Sequence, residues 1–156
     1  MIFREIAFNS EDFRQECMLR NAILRLPLGL DLADEDLGVE KTQLHFGLFD
    51  DNEHMVGCVV AVPLSPCEAK IRQMAISPDG RGKGHGRSLL EYLEDHLRQR
   101  GFTQLCLHAR MTAVGFYEKM SYQKAGTEFV EVGIPHVRME KSLLPPPGRD
   151  ISHDKI

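Results

Sequence analysis

Glycines at alternate positions, Gly82, Gly84 and Gly86, stand in the stretch SPDGRGKGHGRSLLEYLEDH at residues 77 to 96, between a proline-led turn and an apolar-periodic segment. Glycine loses more conformational entropy on folding than any other residue, so three of them at a helix entrance serve something other than stability. Unpaired N–H groups and the positive end of the helix dipole converge at such an entrance, and absent side chains let phosphate oxygens reach them. Arg81, Lys83 and Arg87 supply matching positive charge. A merely flexible turn is the plain alternative, but cations interleaved with glycines favour a diphosphate-bearing ligand. Two nucleotide loops are excluded by spacing: glycine, four residues, then Gly-Lys-Ser/Thr does not occur in the loop, and Gly-x-Gly-x-x-Gly fails at Arg87 and Leu89.

The elements that must hold this loop fit in one domain. At 156 residues, with 42% hydrophobic and 27% charged residues, the chain has the composition of a soluble protein with its own core. A net charge of -4 gives no global attraction to nucleic acid or an anionic membrane, so neither is an expected partner and any anion site is local. No apolar run approaches a membrane span, and Met1-Ile2-Phe3-Arg4-Glu5 lacks the basic start of a signal peptide, which makes the cytoplasm the expected location. Cys17, Cys58, Cys67 and Cys106 are spaced too irregularly for a zinc site and read as small buried thiols; the histidines form no His-Glu-x-x-His pattern, and no metal is expected.

Hydrophobic period orders the rest. A strand over residues 2 to 8 precedes capping chemistry at Asn9-Ser10-Glu11-Asp12 and an amphipathic helix to about Arg25. The acidic stretch 31 to 41 reads as loop or a short helical turn; residues 43 to 50 and 54 to 64 form a hairpin, followed by a strand over 69 to 77. That strand puts Ile71, Gln73 and Ala75 on one face and Lys70, Arg72, Met74 and Ile76 on the other. Leu89, Leu90, Leu93 and Leu97 recur at helical spacing, with Glu91, Glu94, Asp95 and Arg98 opposite. A strand at 104 to 110, a short helix capped by Thr112, and a hairpin of 127 to 132 with 136 to 143 complete an α/β (α+β) pattern. Its central sheet is mixed, mostly antiparallel and flanked by helices. The domain spans 1 to 143, and LPPPGRDISHDKI from 144 to 156 reads as a flexible tail.

Arg81-Gly82-Lys83-Gly84-His85-Gly86 is an instance of the signature Arg/Gln-x-x-Gly-x-Gly/Ala, and AVGFYEKMSY at 113 to 122 is similar to an Ala-x-x-Phe-Tyr-Glu-Lys-x-Gly-Phe segment. Both resemble the GNAT N-acetyltransferases, and the flank MAISPDGRGKGHGRSLLEYLE resembles that family's strand, loop and helix without interruption. Departures are Ser121 and Tyr122, where glycine and phenylalanine are commonest, and Arg110, where many relatives carry asparagine. The regions around 19 to 64 and 129 to 143 look similar to an ill-characterised bacterial branch.

The resemblance implies acetyl coenzyme A as co-substrate and an amine of a small molecule or protein as acceptor. Backbone of Met74, Ala75 and Ile76 would take the pantetheine arm, and Arg81, Gly82, Lys83, Gly84, His85, Gly86 and Arg87 the pyrophosphate, with Ser88 and Phe116 alongside. Tyr117 matches the tyrosine that protonates the departing thiolate; its plain alternative is a core aromatic. A glutamate that serves some relatives as base is replaced by Lys70, leaving Glu68, Glu128, Glu131 and His136 as base candidates, of which Glu131 and His136 are preferred. A non-catalytic acetyl-CoA sensor is the competing reading, and a homodimer through the C-terminal strands is compatible with the pattern.

Overall fold

The computed structural model describes residues 1–80 and 82–144. Arg81 and the tail from 145 onward, two of the expectations above, lie outside the described residues. Eight strands form one sheet: β1 (Ile2–Ile6), β2 (Leu44–Phe49), β3 (Met55–Pro63), β4 (Glu68–Ile76), β5 (Gln104–Arg110), β6 (Gln123–Lys124), β7 (Phe129–Glu131) and β8 (Ile134–Ser142). Their order is β1-β2-β3-β4-β5-β8-β6, with β7 also paired to β8. β4 and β5 run parallel, and every other described pair is antiparallel. A parallel pair needs a long crossover, and here it is supplied by helix α2 (His85–Gln99).

Helix α2 packs where its leucines require. Leu89, Leu90, Leu93 and Leu97 are fully buried against β-strand residues such as Phe46, Val59 and Leu105, each leucine contributing about 1.5–3 kcal/mol by leaving water. Glu94 departs from the solvent face expected for it: it is buried, accepting the Tyr122 hydroxyl proton at 2.7 Å and a Lys141 ammonium hydrogen bond at 2.8 Å. A carboxylate partnered twice can be buried on the apolar side without an unmatched charge.

Helix α1 (Glu11–Arg20) begins where Ser10 Oγ accepts the Phe13 N–H at 3.1 Å. Its buried face is Phe13, Glu16 and Arg20 rather than an apolar stripe. Arg20 binds Glu16 at 2.7 Å and both oxygens of Glu40 at 2.8 and 2.7 Å, while His45 of β2 approaches Glu16 at 3.0 Å and the Glu40 carbonyl at 2.9 Å. Glu16, Glu40 and His45 are close enough to one another to ligate an ion, but the Arg20 guanidinium already occupies the two carboxylates. Arg20→Ala leaves two buried carboxylates without their cation, and urea denaturation should show a loss of about 3–5 kcal/mol; a loss below 1 kcal/mol would mean that water reaches the site.

Two local expectations change. The short helix α3 (Val114–Lys119) follows a 3-10 turn at Met111–Ala113 and has Ala113, not Thr112, at its cap, without a side-chain hydrogen bond. Cys58 and Cys106 are buried as expected, Cys17 is half-buried, and Cys67 is exposed in the turn before β4. Burial pushes the Cys17 thiol up to about 11 and the Cys58 thiol higher still, so neither is a ready nucleophile.

Candidate active site

Strands β4 and β5 pair from Glu68↔Gln104 to Ile71↔Leu107 and then part. Just beyond that point β4 carries a bulge: Ala61 opposes Ile71 and Val60 opposes Arg72, but Cys58 already opposes Ala75, so two residues, Gln73 and Met74, face Val59 alone. Gln73 takes φ +55, which a bulge accommodates. The bulge reverses the alternation expected from sequence. Ile76 now lies opposite Gly57, on the Ile71 face, whereas Ala75, opposite Cys58, shares the face of Arg72. A simple two-residue period cannot register one inserted residue, and Gln73 carries no sequence mark of it.

The glycine loop leads from this strand end into α2. A 3-10 turn, Pro78–Gly80, is followed by Gly82 at φ +79 and Gly84 at φ +78, left-handed conformations that side chains oppose. A Cβ on either would meet no described atom within 4 Å, so open space lies above the loop. Gly84 caps the helix, and its carbonyl accepts the first helical bond from Ser88 N–H at 3.0 Å. The N–H groups of the first turn therefore point out of the helix toward that space. Lys83 and Arg87 are exposed beside it, Arg87 near Glu91 at 3.4 Å. His85 folds back over Gly80, where a Cβ would lie 2.3 Å from its Nδ1. Gly86 sits against Phe116 and Ile76, with a Cβ at 3.5 and 3.8 Å from their side chains, so the loop, the strand end and α3 converge.

Where the strands part, a cavity of about 540 Å³ opens. Met74 and Tyr117 form one wall, and the Tyr117 hydroxyl donates to the Met74 sulfur at 3.7 Å. Burial pushes the phenol up to about 12, so it holds its proton at neutral pH. The lining also holds Glu131 and His136, both expected from sequence, together with His108 and Lys70. Glu131 accepts from His108 Nδ1 at 3.1 Å and lies 3.8 Å from His136 Nε2. Partial burial raises the Glu131 carboxyl, but the His108 hydrogen bond and the charges around it outweigh this and hold it below the usual range. His136 is buried, with Nδ1 donating to the Ile134 carbonyl at 2.7 Å. Glu68 and Glu128 do not line the cavity; Glu68 instead lies 3.9 Å from Arg138.

Sequence reasoning missed His108. It sits in QLCLHAR, read as a buried strand, and only the strand register places it on the cavity side with Arg110, alternating with the buried Leu107 and Ala109. Arg25 was missed too. A π-turn over Asn21–Arg25 extends α1 and brings Leu24 and Arg25 to the cavity, where Arg25 bonds Gln73 Oε1 at 3.1 Å and pairs with Glu35.

A family model described as an acetyltransferase (GNAT) domain matches residues 32–143. The chain belongs to the GNAT acetyltransferase family. An uncharacterised acetyltransferase of Streptococcus pyogenes is 31% identical over 105 residues, 67% of this chain and 72% of the relative. An uncharacterised Bacillus subtilis protein, YyaT, is 39% identical over 75 residues, 48% of this chain and about half, 51%, of the relative. Among solved structures, a candidate N-acetyltransferase from Lactobacillus plantarum superposes with TM-score 0.80 at 26% identity, covering 92% of this chain and 100% of its own. An aminoglycoside 6'-N-acetyltransferase complexed with coenzyme A superposes with TM-score 0.74 at 19% identity over 94% and 99%, a likeness of fold. The GNAT assignment carries acetyl-CoA as the usual co-substrate, and the chain is an acetyl-CoA-dependent N-acetyltransferase. No helix among the described residues is long and apolar enough to cross a membrane.

Proposed function

We propose that this chain transfers the acetyl group of acetyl-CoA to a primary amine by direct attack in a ternary complex. The observation that carries this is the parting of β4 and β5 after Ile71↔Leu107, which opens unpaired strand backbone onto a cavity walled by the Tyr117 phenol. Backbone of Met74, Ala75 and Ile76 would hold the pantetheine arm as an added strand does, and an N–H there would polarise the thioester carbonyl. The pyrophosphate would sit over Gly82, Lys83, Gly84, His85, Gly86 and Arg87, with Arg81, Ser88 and Phe116 completing its surroundings. The open space above two left-handed glycines and the exposed Lys83 support that seat.

An ammonium cannot attack, so a base must first take a proton. Glu131 is held as a carboxylate too weakly basic for the task at neutral pH. Its better role is to accept the His108 Nδ1–H, which leaves the lone pair of His108 on Nε2 to receive the amine proton. The nitrogen then bonds to the carbonyl carbon, the carbon–sulfur bond breaks, and Tyr117 gives its phenolic proton to the thiolate. His136 Nε2 lies 3.8 Å from Glu131, beyond hydrogen-bond reach.

His108→Gln should lower kcat about a hundredfold or more at pH 7, with coenzyme affinity unchanged. Glu131→Gln should lower kcat by a smaller factor, because His108 loses the carboxylate acceptor that fixes its Nδ1–H, with coenzyme affinity again unchanged. Undiminished kcat in both variants would exclude the pair. Thiol release from acetyl-CoA that requires an added amine tests the reaction itself. Tight coenzyme binding without release from any amine would favour a non-catalytic sensor.

A further inference from the structure

The cavity has a charge pattern that the coenzyme does not explain. Its charged lining residues are Arg25, Lys70, Arg72 and Arg110 against Glu35 and Glu131, in a chain whose net charge is -4. Glu35 is paired with Arg25, and Glu131 accepts from His108 and lies 3.8 Å from His136. Among the described residues, no carboxylate comes within ion-pair distance of Lys70, Arg72 or Arg110; Lys70 Nζ lies 3.4 Å from His108 Nδ1, which, as the donor to Glu131, offers the ammonium no lone pair. Arg138 on β8, in register with His108, is by contrast paired to both Glu68 and Glu140.

Register puts the three cations together. Lys70 lies opposite Cys106, so Lys70 and Arg72 on β4 and His108 and Arg110 on β5 project to one face of the sheet, the face that forms the cavity floor. Lys70 is half-buried, and burial together with the charge of Arg72 lowers its pKa. Lys70 and Arg110 are half-buried and Arg72 is exposed, and like charges on one face repel, so an anion between them would offset that cost. The coenzyme offers no such anion at this place. Its thioester and pantetheine amides are neutral, and its phosphates belong at the α2 entrance.

We propose that the acceptor is a small amine that also carries an anionic group, a carboxylate or phosphate, bound by Lys70, Arg72 and Arg110 while its amine faces His108 and Tyr117. The inference rests on the transferase reading above. A volume of about 540 Å³ shared with the acyl end of the coenzyme suits a small molecule. Planar guanidinium groups suit a carboxylate or phosphate, and a polycationic amine would meet repulsion on the same floor.

Matched pairs test this: an amino acid against its amide, and an aminoalkyl phosphate against the corresponding amino alcohol, with spermidine and an aminoglycoside alongside. The charged member of at least one pair should exceed its neutral partner in kcat/KM by about tenfold to a hundredfold. Which pair responds distinguishes carboxylate from phosphate. Arg72→Gln should erase most of that advantage through KM while coenzyme A affinity stays constant. Equal rates within both pairs, or faster transfer to spermidine or the aminoglycoside, would overturn the inference and leave the transferase reading standing. Absence of thiol release from every amine, with acetyl-CoA bound, would overturn the transferase reading and this inference with it.

Discussion

Replacing Gly84 with aspartate is expected to raise the dissociation constant for acetyl-CoA by about a hundredfold or more while leaving the fold nearly as stable as before. Gly84 stands at the α2 cap with φ +78 and open space where a side chain would project. An aspartate there would fill the proposed phosphate seat with a like charge. Its cost to the fold is small because two effects oppose. A left-handed residue other than glycine loses about 1–2 kcal/mol, with aspartate among the better tolerated, and a negative charge at a helix N-terminus returns about 0.3–1 kcal/mol. Thermal unfolding should therefore move by only a few degrees. Calorimetric titration with coenzyme A beside a melting curve separates the two effects. Undiminished affinity in a folded variant would remove the loop from the binding site.

Tyr117→Phe carries the second large effect. The phenol is needed only as the thiolate departs, so kcat should fall about a hundredfold to a thousandfold with little change in the KM for acetyl-CoA. Phenylalanine keeps the ring contacts with Phe116 and Tyr122 and gives up the hydroxyl's bond to Met74. The same variant has a stability signature. Burial raises the phenol from 10.0 to about 12, so the folded state holds a proton that the unfolded state releases first. The contribution is full below pH 10 and lost as pH climbs through 12. Wild type should thus lose stability across that window more steeply than the variant, although the raised Tyr122 phenol, bonded to Glu94, adds a like slope to both. An unchanged kcat would make Tyr117 a core aromatic.

The glycine loop proposed as the coenzyme seat was legible in the sequence because it is local. Gly82 and Gly84 take left-handed conformations, and strand, loop and helix follow one another along the chain. The acceptor side was not. His108, Glu131, Lys70 and Arg25 come from four separate segments, and they meet only because β5 lies between β4 and β8 and because α1 ends in a π-turn. Glu131 and His136 were reached by elimination, whereas His108 was hidden in an apolar strand whose facing depends on register. Helix α1 misled in another way: it buries Glu16 and Arg20, and no hydropathy pattern announces a buried ion network. The bulge at Gln73 is the remaining case, a single inserted residue that turns Ala75 and Ile76 over and lies beside the opening where the strands part.

The most direct measurement follows the acetyl group itself, by mass spectrometry of an incubation of the chain with acetyl-CoA and an amine acceptor, alongside thiol release. The account predicts one N-acetylated acceptor for each free coenzyme A, with initial rates that require both substrates together. Acetyl found on a cysteine of the chain, released only as acetate, or retained entirely on the coenzyme would contradict it.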